Sequence, residues 1–135
     1  MAPRTVVAGI GVAVVLMAIV IGLAVIGSPA DERARRLDER RVRALQGLAG
    51  AVDEYWRVRG RVPQSIAELM RDPRVVTDTK DPVTGQEYVY RTVTDRTYQL
   101  CADFERQSAG VPDAKLWAHP SGKHCFDLEV HERGR

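Results

Sequence analysis

The chain has 135 residues, 44% of them hydrophobic and 28% charged, which is room for one small domain and too little for a Rossmann or barrel enzyme. The formal net charge is +2, and Arg4 supplies one unit of it, whereas a nucleic-acid module shows a strongly basic, one-signed surface. Aromatic residues, at 6%, are also too few for a series of base-stacking platforms.

The even average conceals two unlike parts. Between Thr5 and Ile26 the sequence TVVAGIGVAVVLMAIVIGLAVI holds no charge and no strong polar group. As a helix it would extend roughly 33 Å, enough to cross a hydrocarbon core of about 30 Å. A cleaved signal peptide is the competing reading, because Ser28-Pro29-Ala30 puts small residues at the −3 and −1 positions of a possible cut. The apolar stretch of a signal peptide is typically only about 7–15 residues, so an uncleaved anchor is expected. Gly9/Ala13 and Ala18/Gly22 recur at four-residue spacing, which would let two such helices approach closely in lipid. The segment Asp31–Arg43 holds six arginines, and a literal positive-inside count would keep the C-terminal part of the chain in the cytoplasm. Against that count stand the one-arginine N-terminal tail, usual for an N-in anchor, and two cysteines that suit an oxidising space. The expected organisation is therefore a short cytoplasmic tail and anchor over 1–30, then an extracytoplasmic domain over 31–135.

Ser28, Pro29, Asp31 and Glu32 carry the signals of a helix start. Asp31/Arg35, Glu32/Arg36 and Glu39/Arg43 are spaced as i,i+4 ion pairs, so this stretch reads as a solvated helix face, with lipid-headgroup contact as the alternative. Val42, Leu45, Leu48, Ala49, Val52, Tyr55 and Trp56 then form one apolar stripe at helical period, and Gly60 suits the end of the helix. Ser65-x-x-Glu68 is a capping box opening a short helix over Ile66, Leu69 and Met70.

From Asp81-Pro82-Val83-Thr84-Gly85, a turn, the period becomes two. Strands are expected over Tyr88–Val93, Thr97–Phe104 and His124–Val130, with Leu116-Trp117 as a brief extra one. The loop Glu105–Ala114 and the tail His131–Arg135 should be irregular. The fold class is α+β: a transmembrane helix, a long amphipathic helix, a short helix and a small antiparallel sheet.

Cys101 alternates with Gln99 and Asp103, and Cys125 with Asp127 and Glu129, so both thiols belong on the sheet face opposite Leu100, Ala102, Phe126 and Leu128. A disulfide between neighbouring strands is therefore expected, away from the long helix. His119, His124, Cys125 and Cys101 also raise a metal- or redox-binding reading. His119 and His124 fit an H-x4-H spacing, but both flank a turn and no paired cysteines accompany them. Asp127 and Glu129 read as the solvent side of a strand, and Trp56 and Trp117 as core anchors. No catalytic constellation, phosphate loop or cofactor motif is present, so an enzyme is not expected.

The order of parts resembles the type IV pilins and the G-type major pseudopilins of type II secretion. The local likeness lies in Gly60-Arg61-Val62-Pro63-Gln64-Ser65 and in Asp81-Pro82-Val83-Thr84-Gly85-Gln86-Glu87-Tyr88-Val89-Tyr90, similar to an Asp-Pro-(Trp)-Gly-x-x-Tyr turn and strand. The chain departs from that family in lacking a Gly-Phe-Thr-Leu-x-Glu processing motif and any glutamate within the apolar run. Its turn is one residue longer, so no calcium ligands carry over. The resemblance implies a pilin-like shape and a bacterial envelope address, and the expected location is the inner membrane with the C-terminal domain outside the cytoplasm. The partners expected are the lipid bilayer, other envelope proteins or a second copy through the membrane helix, and no nucleic acid.

Overall fold

A computed structural model of the chain describes residues 3–26, 28–108 and 116–131. The chain divides into two units, 1–34 and 35–135. Helix α1 spans Pro3–Ile26, α2 Pro29–Arg59 and α3 Ile66–Leu69; after them come strands β1 Val89–Thr92, β2 Thr97–Phe104 and β3 Gly122–Glu129. The class is α+β, as the pattern of periods requires.

Helix α2 starts where its signals lie. The Ser28 hydroxyl accepts from the Ala30 amide at 3.3 Å, the Ser28 carbonyl accepts from Glu32, and Asp31 and Glu32 occupy the first turn. At the other end Gly60 adopts φ +71° and donates to the Trp56 carbonyl, a left-handed cap that glycine adopts without a Cβ penalty. Its inward face carries Leu45, Leu48, Val52 and Tyr55, and Leu45 and Val52 are wholly shielded from solvent. Val42, Ala49 and Trp56 pack half-buried around them.

The capping box at α3 forms in a modified way. The Ser65 hydroxyl accepts from the Glu68 amide at 3.1 Å, but the Glu68 carboxylate accepts from Gln64, one residue before the cap. The cause is competition: the same carboxylate also holds Arg61 and the Tyr55 hydroxyl, which draw it outward.

The sheet is a meander in the order β1-β2-β3, antiparallel throughout. Tyr98, Leu100, Ala102 and Phe104 of β2, with Phe126 and Leu128 of β3, join α2 in one apolar core. β1 is shorter than the sequence predicts, because Tyr88 donates to Thr79 and Lys80 bridges Glu87. The segment before the turn thus pairs with the segment after it. Tyr90 and Thr92 hydroxyls both donate to the Pro63 carbonyl, at 2.8 and 3.0 Å, tying the sheet edge to the loop before α3. Leu116 and Trp117 form a 3₁₀ turn in place of a strand. Trp117 lies half-buried against the Phe126 ring at 5.0 Å. β3 begins two residues early, at Gly122, because Phe104 pairs with it across the ladder. Parts of the Glu105–Ala114 loop and the His131–Arg135 tail lie outside the described residues.

Candidate functional site

Helix α1 is apolar on every side. After Arg4 it has no charged residue, and its described side chains are exposed around the whole circumference, with Gly22 alone half-shielded. A soluble helix hides one face and wets the other. This one is long and apolar enough to cross a membrane, and lipid is a medium in which such a surface is stable.

The two cysteines are brought together. Cys101 and Cys125 face each other across β2 and β3, with their sulfurs at bonding distance, 2.06 Å. Strand parity places them beside Gln99, Asp127, Asp103 and Lys123, on the face opposite Leu100 and Phe126. Yet Cys101 is only 2% exposed, since Val89 of β1 pairs beside it. The outer face therefore carries a small apolar patch within a polar surface.

The histidines do not join the cysteines. His124 pairs with Ala102, which parity puts on the inner face, and its ring meets Phe126 edge-on at 4.8 Å. His119 is buried and stacks on Phe104 at 3.6 Å. Its Nδ1 lies 3.1 Å from the Pro120 carbonyl, an acceptor that requires the proton on that nitrogen. Its main chain exchanges hydrogen bonds with Ser108. Among the described residues no three His, Cys, Asp or Glu side chains converge as metal ligands. Asp127 and Glu129 are exposed; Asp127 accepts from Gln99 at 2.6 Å, and Glu129 lies 3.7 Å from Arg96.

The most concentrated electrostatics lies where sequence reasoning put a solvated face. Glu39 and Arg43 do pair on the surface, but Asp38 and Arg41 are each only 4% exposed. Asp38 accepts from Arg41 at 2.8 Å and from the backbone amides of Glu105 and Arg106 at 3.0 and 2.8 Å. Arg41 also donates Nε to Asp81 at 2.5 Å and lies 3.5 Å from Glu105. Asp81 in turn accepts from the amides of Val83 and Thr84, closing the turn that the sequence marks. One guanidinium thus joins α2, the 81–86 turn and the end of β2. Burial pushes the Asp81 carboxyl up, but the Arg41 hydrogen bond and the two amides outweigh it and hold the group down at about 2. The same carboxylates keep Arg41 protonated against the cost of burial. The available signal was spacing: 38, 41, 45, 48 and 52 continue the apolar stripe toward the N-terminus, with charges in place of leucines.

No family model, no curated protein and no solved structure matches the chain. The apolar helix followed by a small antiparallel sheet is loosely compatible with a pilin-like fold.

Proposed function

We propose that the chain is a single-pass bacterial envelope protein, held in the inner membrane by α1, with a small pilin-like domain outside the cytoplasm in a structural or interaction role. The observation that carries this reading is α1, a 24-residue helix that is apolar and exposed on all sides. The paired cysteines favour the extracytoplasmic side, because a disulfide persists in an oxidising compartment. The role is one of presenting a surface: the charge clusters around Arg41 and Glu68 are satisfied within the fold, and neither is set up as an acid, base or nucleophile. Alkaline carbonate extraction and a reporter fused to the C-terminus test it together. The chain should stay with the membrane pellet, and the reporter should be active only in its periplasmic form. Release by carbonate, or a cytoplasmic C-terminus, overturns the reading.

A further inference from the structure

A cleft of about 740 Å³ opens between α2 and the segment 76–82. Its walls carry Arg40 and Arg43 from the helix and Lys80 and Asp78 from the segment, over Ala44 and Tyr88. One turn further along α2, Gly47 lets the segment come close: a Cβ there would press on the Thr77 hydroxyl.

The charge in this cleft is not neutralised from within. Arg40 and Lys80 have no carboxylate at ion-pair distance among the described residues, and Arg43 meets Glu39 only at 4.0 Å, on the exposed surface. Asp81, the nearest buried carboxylate, is already committed to Arg41. That leaves three cationic heads around one opening, opposed by the single free carboxylate of Asp78. A second observation points to the same place. Tyr88 is 6% exposed, and its hydroxyl has no hydrogen-bond partner. Tyr88 is one of the residues that line this cleft. A buried donor without an acceptor costs stability, because it has given up water and gained nothing in return.

We propose that this cleft binds the phosphate group of an anionic ligand, with Arg40, Arg43 and Lys80 as its cationic contacts. Phosphate fits because its several oxygens can accept from two guanidinium forks and an ammonium at once. The Tyr88 hydroxyl is shielded in the chain as it stands, so a phosphate oxygen becomes its acceptor only when the side chain turns toward the cleft. Asp78 sets the affinity from the other direction, since its carboxylate repels an oxyanion held beside it.

The test uses the full chain in neutral maltoside micelles, with inorganic phosphate as the probe and the amide resonances of Thr77, Asp78 and Lys80 as the readout. Those resonances should shift saturably. Arg40→Gln and Lys80→Gln should each weaken binding by about three- to tenfold, and Asp78→Asn should strengthen it by a similar factor. Arg71→Gln, a change of equal charge elsewhere, should leave it alone. Dihexanoyl-phosphatidylglycerol and glycerol phosphate, titrated in parallel, distinguish the sources. Tighter binding of the lipid assigns the site to a headgroup, and equal binding assigns it to a soluble phosphate. Shifts that do not saturate, or that weaken as much in Arg71→Gln as in Arg40→Gln, would overturn the proposal.

Discussion

Arg41 lies between two carboxylates, Asp38 and Asp81, that have little other access to water. Replacing it by alanine leaves both buried without their counter-ion, and breaking a buried pair in this way costs about 3–5 kcal/mol. Denaturant unfolding of the full chain in micelles, followed by Trp56 and Trp117 fluorescence, should show that loss; a change under about 1 kcal/mol would mean that water already screens the cluster. The pH dependence has a definite sign. The folded Asp81 carboxyl sits at about 2, below its ordinary 3.8, so its contribution is complete above about pH 4 and fades as pH falls toward 2. The amount is about 2 kcal/mol. Glu68, lowered to about 2 by Arg61, Tyr55 and the Gln64 amide, acts in the same window and direction. Asp81→Asn should be less stable than the parent at pH 6, and the two should converge only as pH falls to about 2 when unfolding is followed across pH.

Helix α2 sets two glycines in opposite circumstances. Gly50 has open space where a Cβ would stand, whereas at Gly47 that atom would press on Thr77. Gly50→Ala should therefore stabilise the helix by roughly 0.5–1 kcal/mol, the usual gain from removing glycine from a helix interior. Gly47→Ala should fail to show that gain until Thr77→Ala is added beside it, a coupling that thermal unfolding of the four variants would measure. The elements themselves were legible where a period persists: Leu45, Leu48 and Val52 for α2, and Tyr98, Leu100 and Phe104 for β2. Gly60 and Ser65 were legible because capping chemistry is local. Asp38 and Arg41 were not, because an arginine at a core position reads as surface until its partner is known, and Asp81 lies 40 residues away. Tyr88 fell outside its strand for a similar reason: its amide is taken by Thr79, a pairing with no apolar alternation to announce it. The phosphate cleft was hidden likewise, since Arg40 and Lys80 meet only after the 76–82 segment folds back on α2.

The chain joins an apolar helix long enough to cross a membrane to a domain with a modest core, and the Cys101–Cys125 bridge is the covalent part of what holds that domain together. Its sequence separation is 24 residues, and opening a loop of that size removes about 3 kcal/mol from a small domain. Reductant should lower the unfolding midpoint of the full chain by several degrees, and alkylation of protein from native membranes should need reduction first. Thiols that alkylate freely would argue for a cytoplasmic domain. The bridge also decides what a protease can accomplish. Everything from Ala102 to His124 lies inside the covalent ring, including the stretch between β2 and β3. A single cut there leaves the ends attached, so the nicked chain should migrate as one band without reductant and separate into two with it. While the bridge is intact, damage in the β2–β3 connection then need not release the last strand, and with it the Phe126 and Leu128 share of the sheet's apolar face.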